Sequence, residues 1–304
     1  MTAMGQLLAN RKALVGLCIL ALFGGLALIG PALVGDPSDF VAVPLLPPSA
    51  AHWFGTTGQG QDVFAQTVAG ARGTLAVAFL VGLTVLLLGA LVGTVAGYFG
   101  GWIDEGLGLL VNLFLLIPGL PLAVVIAAYL PAGPGTITLV LVLTGWAWTA
   151  RVIRASALSL RQADFVSAAM VSGESHLRVI LFEILPNMLP LLASSFIAAV
   201  TYAIGAEVGL EFLGLGDLER VSWGTNLYWA SNDVALPSGS WWTFVPTGVA
   251  IALVGFALAL LNNGLDQFGN PQLDPERAFL RATGRKRLEL SAATPVLRKS
   301  QSHG

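Results

Sequence analysis

Few residues in this sequence have the types and spacing that chemistry demands. The three histidines, His52, His176 and His303, are too scattered to suggest a metal cluster. The single cysteine, Cys18, excludes a disulfide framework and any Cys-rich zinc or iron–sulfur site. An intramembrane hydrolase would need a Ser–His pair, a His-x-x-Glu-His-like zinc site or paired acids inside its apolar runs, and all three histidines lie outside those runs. No Gly-x-x-x-x-Gly-Lys-[Ser/Thr] loop is present to cradle nucleotide phosphates. The expectation is a chain with no catalytic residue, no metal site and no cofactor of its own.

What remains are residues suited to packing, bending and partner contact. Between residues 164 and 187, Asp164 is placed to cap a short helix, and Glu174 and Arg178 stand i, i+4. Ala168, Ala169 and Gly173 fall close to one face and carry almost no side chain, so a partner surface could approach closely. An amphipathic connector lying on a bilayer would give the same pattern. Pro186 then ends or bends the chain. Gly89, Gly93 and Gly97 recur every four residues, with Gly101 extending the row. Such a row lets helix backbones meet in lipid, within this chain or against a second one. Pro118 and Pro121 free backbone carbonyls, either at a static kink or along a water-filled path. Glu207, with Glu211 one turn beyond, is an acid at membrane depth that is either hydrated at the interface or lines the mouth of a path. Asn112, Asn187, Asn262 and Asn263 are weaker candidates, suited to helix packing.

The elements that hold these residues follow from composition. The chain has 304 residues, 55% hydrophobic and 11% charged, with mean hydropathy +0.78. Ordinary soluble domains carry roughly 25% charged residues, so most of this surface faces lipid. A net charge of −2 argues against a basic nucleic-acid binder. A span needs about 20 apolar residues, and uncharged runs of that length recur along the chain. The longest, 106–150, is divided by Pro131-Ala-Gly-Pro-Gly135, a strong turn signal. The predicted fold is an all-α membrane protein with six transmembrane helices: 13–34, 73–99, 106–130, 135–155, 184–209 and 243–265. The first run is longer than the 7–15 apolar residues typical of a signal peptide, so an uncleaved helix is expected there. Of the 15 Lys and Arg residues, only Arg72 and Arg220 fall on the side opposite the termini. The positive-inside rule therefore places both termini in the cytoplasm. Residues 1–12, the loop 156–183 and the tail 266–304 are then cytoplasmic, and 35–72 and 210–242 external. The basic tail reads as a solvated extension near anionic lipid. Trp223, Trp229, Trp241 and Trp242 are expected in an aromatic belt at the external interface.

The segment Ala168-Ala169, three residues, Gly173, ten residues, Ile184-Leu-Pro-Asn187 resembles the coupling-helix motif of bacterial ABC-importer permease subunits. Its Leu-Pro-Asn ending resembles the dipeptide/oligopeptide/nickel branch. Asn10-Arg-Lys-Ala-Leu-Val-Gly16, His52-Trp-Phe-Gly-Thr56, Gly60-Gln-Asp-Val-Phe64, Gly70-Ala-Arg72 and Gly97-Tyr-Phe-Gly-Gly-Trp-Ile-Asp104 resemble that branch in order. So do Phe212-Leu-Gly-Leu-Gly216, Ser222-Trp-Gly224 and Leu273-Asp-Pro275. The resemblance covers about residues 8–276. It implies the type I importer permease architecture in the cytoplasmic (inner) membrane. The implied partners are a second related permease subunit, two ATP-binding subunits that use ATP and Mg, and an extracytoplasmic solute-binding protein. It also implies that Ser167, Ala168, Ala169, Gly173, Glu174, Leu185 and Pro186 contact the ATPase. Peptides are the first expected solute, with oligosaccharides and nickel as alternatives. The sequence departs from the pattern at Ser167, where Glu is usual, and at Glu183, where a basic residue is usual. It departs again at Thr57 and Gln61, so the family's ion pair is not expected in that external loop. An ion-coupled secondary transporter would call for two related halves and charged or broken helices near midplane; no internal repeat and no midplane charge is evident.

Overall fold

The computed structural model describes residues 10–233, 235 and 237–269. Most of the expected tail, with Leu273-Asp-Pro275 and His303, lies outside the described residues. The long helices are α1 (Arg11–Leu33), α2 (Val63–Phe99), α3 (Gly101–Leu116), α4 (Gly119–Tyr129) and α5 (Pro134–Arg161). They continue with the short α6 (Asp164–Val171), then α7 (Leu189–Phe212), α8 (Trp223–Asn232) and α9 (Val245–Gly269). Among the described residues, five helices are long and apolar enough to cross a membrane, and the bent pair α3–α4 makes a sixth candidate.

Helix ends follow local capping chemistry rather than the limits of uncharged runs. Asn10 caps α1 by accepting from the Lys12 and Ala13 amides, and Asp62 caps α2 by accepting from the Ala65 amide. Consequently α2 starts ten residues before the expected 73 and runs for 37 residues, about 55 Å at 1.5 Å per residue. That exceeds a hydrocarbon core of about 30 Å. Arg72 ends the uncharged run without ending the helix, because a charge marks a change of solvent and not a change of backbone. Arg151, Arg154 and Arg161 likewise sit on α5, which continues past the expected 155 to Arg161.

The glycine row decides how α2 packs. A Cβ on Gly93 would lie 2.5 Å from the Ala150 carbonyl oxygen, and one on Gly97 would lie 2.7 Å from the Arg154 carbonyl oxygen. On Gly89 it would meet the Thr149 side chain at 2.7 Å. The row therefore faces α5 of the same chain, and not a second subunit. Gly101 does not extend it, since a Cβ there meets nothing within 4 Å. A second close approach, Gly82 against Val200, seats α7 against an earlier stretch of α2. The core formed between them includes Val81, Val85, Val140, Leu141 and Ala203.

Two expectations are corrected here. The single span expected at 106–130 is broken, with α3 and α4 bent by 81°. Ile117 is extended (φ −86°, ψ 128°) ahead of Pro118: the proline ring disfavours helical backbone in the preceding residue, and its nitrogen has no proton to donate. Trp223 does not belong to an interfacial belt. It is fully buried, edge-on to Phe23 with ring centroids 5.8 Å apart, and its indole N–H donates to the Thr67 carbonyl at 3.0 Å. The capping box of Ser222 and Thr225 starts α8 at this residue and holds it against α2 and α7.

Candidate functional site

The segment after α5 is built as an outward-facing knob on a buried root. Val166, on α6, is fully buried in a cluster with Tyr98, Ile153, Ala157, Val179, Ile184 and Met188. The opposite side of α6 is open. Ser167 and Ala168 are exposed, Ala169 is half-buried, and Val171 is 90% exposed. Asp164 does not cap this helix: it stands in the first turn, and the cap position is Ala163, which forms no side-chain cap bond. The far end is a Schellman closure. The Gly173 amide donates to the Met170 carbonyl and the Glu174 amide to the Ala169 carbonyl. This closure needs a left-handed residue, and Gly173 has φ +83°. Gly173 is thus required for its backbone, and a Cβ there would meet open space.

Beyond Gly173, the Arg178 Nε donates to Glu174 Oε2 at 2.5 Å, and its guanidinium lies 5.9 Å from the Phe182 ring. Both side chains are partly exposed, so the pair contributes at most about 1 kcal/mol. The chain then winds as a π-helix over Val179–Ile184, with Pro186 two residues on. Leu185 is half-buried and Pro186 exposed. One contact was not legible in the sequence. The buried Tyr98 hydroxyl, at the end of α2, bonds His176 Nδ1 at 2.8 Å, and the Tyr98 and Phe99 rings pack against the imidazole. Nothing in the spacing of residues 98 and 176 announces it.

The kink between α3 and α4 opens onto a cavity of about 750 Å³. Pro118 and Pro121 line it, opposite Thr144, Trp148 and Thr149 of α5, Ser194, Ser195 and Tyr202 of α7, and Asn262 of α9. Thr144 Oγ1 and the Tyr202 hydroxyl are 3.0 Å apart, and Asn262 Oδ1 is buried with no partner among the described residues. Among the described residues, no charged side chain lines this cavity. Its chemistry is therefore that of hydroxyls and one amide set in an apolar wall. Glu207 is not part of it. It is buried inside the bundle, 1% exposed, with Oε2 unpartnered among the described residues. Glu211 accepts from the Ser222 hydroxyl and is likewise built into the α7–α8 packing. The expectation that Glu207 lines a path is corrected accordingly.

Two polar contacts fix the surroundings. Arg154 on α5 holds Asp104 on α3 through two parallel bonds, Nη2 to Oδ2 at 2.7 Å and Nε to Oδ1. In the segment before α2, His52 Nδ1 meets Asp62 Oδ2 at 2.9 Å, while Thr57 and Gln61 join through a backbone–hydroxyl bond at 3.1 Å. Asp62 thus has a partner in a loop where the sequence led us to expect no ion pair.

Comparison with known proteins decides the family. The sequence pattern described as binding-protein-dependent transport system inner membrane component matches residues 87–268, which include the kink, most of the cavity wall and the α6 segment. The dipeptide transport system permease protein of Bacillus subtilis (strain 168) is 36% identical over 276 residues, covering 88% of this chain and 84% of that protein. The chain belongs to this permease family. The oligopeptide transport system permease protein of Mycobacterium tuberculosis (strain ATCC 25618 / H37Rv) is 33% identical over 282 residues, covering 91% of this chain and 94% of that protein. Among solved structures, the MetNI methionine ABC transporter in an inward-facing conformation matches with a TM-score of 0.55 and 17% identity. That match covers 68% of this chain and 95% of the other, and it shows the shared permease fold. For a permease of this family, a broken helix beside a cavity does not call for ion coupling, although it is one of the features a secondary transporter would present.

Proposed function

We propose that this permease forms one half of the translocation path of an ATP-driven importer, with short peptides as its solute and both termini in the cytoplasm. The observation that carries the reading is α6: a short helix with an open, small-residue and apolar outer face, rooted through Val166 in the same cluster as the ends of α2 and α5. Force applied to such a knob is delivered to packed helices, not dissipated in a loop, because close-packed interiors transmit strain. Two ATP-binding subunits supply that force by hydrolysing Mg-bound ATP; each grips the coupling helix of one permease, this chain or a related second one. The pull moves helix bundles as rigid bodies and opens the path alternately to either side. An external solute-binding protein delivers the cargo. Peptide is favoured over nickel because the cavity is lined by hydroxyl and amide groups able to meet peptide N–H and C=O groups, without the imidazole or thiolate that nickel prefers.

The test uses Ala168→Trp. Ala168 is exposed on α6, so the indole is accommodated by the isolated chain but obstructs a docked surface. Gly173→Trp is a poorer probe, because any side chain at φ +83° adds strain of its own. The Ala168→Trp chain should reach the membrane at normal levels with ATP-driven uptake of a short-peptide mixture reduced tenfold or more, roughly the effect of losing 1.4 kcal/mol of docking. Undiminished uptake would leave α6 as a connector.

A further inference from the structure

At the end of the bundle opposite Arg11 and Gly269 lies a second cavity, of about 730 Å³, which shares no lining residue with the cavity beside the kink. The only two basic residues assigned to that side of the membrane, Arg72 and Arg220, both line it, although they are far apart in sequence. Neither guanidinium has a hydrogen-bond or ion-pair partner among the described residues. Glu211, within electrostatic reach of Arg220, is already bonded to Ser222. Among the described residues that line it, Glu219 is the one acid. Below this rim the wall turns apolar. Ala76, Val77 and Leu80 follow one another down α2, so the groove descends about 12 Å from Arg72 to Leu80 at 1.5 Å per residue. Leu80 is 51% exposed, and beside it an exposed apolar stripe continues along α2 through Leu83, Leu87 and Leu91.

We propose that this groove holds one phospholipid of the leaflet at that face, its phosphodiester between Arg72 and Arg220 and an acyl chain along Ala76, Val77 and Leu80. The shape is amphiphilic in the same order as the lipid, charge at the interface and hydrocarbon beneath. Two guanidiniums suit a phosphodiester, which they engage through charge-assisted hydrogen bonds. The rim carries +2 from the arginines and −1 from Glu219, so a headgroup of charge −1 neutralises it. A free phosphate would use the rim and leave the apolar wall unexplained. The site does not depend on the importer reading, since it needs only this chain in a bilayer.

The test is native mass spectrometry of the complex purified in mild detergent from its own membrane through a tag on this chain. Wild type, an Arg72→Gln/Arg220→Gln double variant, and Ala76→Trp, which keeps both charges and obstructs the acyl wall, are compared. We expect one more bound phospholipid per copy in wild type than in either variant, with occupancy lowered roughly tenfold or more, the equivalent of one charge-assisted hydrogen bond. Added inorganic phosphate should not displace the lipid or raise the unfolding temperature of delipidated wild type, whereas added phosphatidylglycerol should raise it. Equal lipid counts in all three proteins would overturn the proposal. So would stabilisation by inorganic phosphate that persists in Ala76→Trp, which would make the ligand a soluble anion. Equal lipid counts with weakened docking of the solute-binding protein in the double variant would assign the arginines to a protein contact instead.

Discussion

Asp233, at the end of α8, has a carboxylate oxygen that is buried and unpartnered among the described residues, packed where Gly58 leaves no room for a side chain. Burial raises its pKa above the ordinary aspartate range, because a carboxylate loses more solvation than a carboxyl. The folded state therefore binds a proton more tightly than the unfolded state. Below both pKa values the group makes no difference to stability; as pH rises from the unfolded pKa through the raised folded one, stability is lost. Asp233→Asn removes this penalty. The variant should match wild type in acid and unfold at a higher temperature near neutral pH, read by thermal unfolding across a pH series. A constant difference at all pH values would refute the desolvation account. The same reasoning about solvent explains why Glu207 was misplaced from sequence alone. An acid near a helix end gives no sign of whether water or packed side chains surround it, and here packing by α7 and its neighbours encloses it.

Among the helices, the α2–α5 seam is the most constrained, and its glycines are not interchangeable. Gly93→Leu places a branched side chain where even a Cβ would press on the Ala150 carbonyl and the Arg154 amide nitrogen. At Gly106, on the open side of α3, an added Cβ meets nothing within 4 Å, so Gly106→Leu is the control. The first should abolish recovery of folded, detergent-stable protein, since overpacking against backbone costs about 1–3 kcal/mol or more; the second should leave yield unchanged. Equal yields from both variants would mean that the seam is not close-packed. The seam was legible in the sequence because a four-residue glycine period has few other uses in an apolar helix, although its partner helix was not. The kink at Pro118 was half legible. The two prolines signalled a bend, but its size depends on Ile117 leaving the helix altogether, which turns one expected span into α3 and α4. Span limits were read from charge, and charge reports the edge of the hydrocarbon. Helices extend past that edge wherever a cap such as Asp62 starts them early.

At the scale of the whole molecule, α6, the Tyr98–His176 bond, the α2–α5 seam and the cavity beside the kink pack contiguously, and they are the route that the proposed coupling would use. Tyr98→Phe keeps the ring packing and removes the bond. In the reconstituted importer it should raise the ATP consumed per solute delivered at least severalfold, with assembly intact; an unchanged ratio would mean that the bond only braces the fold. Family membership was legible because several short motifs occur in order, and matched relatives carry it over most of the chain. The solute was not, because the cavity lining offers hydroxyls and an amide that many polar solutes satisfy. The most direct test of the central claim is a photoactivatable crosslinker in place of Val171, the 90% exposed tip of α6, in the membrane of the native host. Irradiation followed by mass spectrometry should join this position to an ATP-binding chain, and ATP should change the yield. Crosslinks to lipid alone, or to a second copy of this chain, would contradict a coupling role for α6.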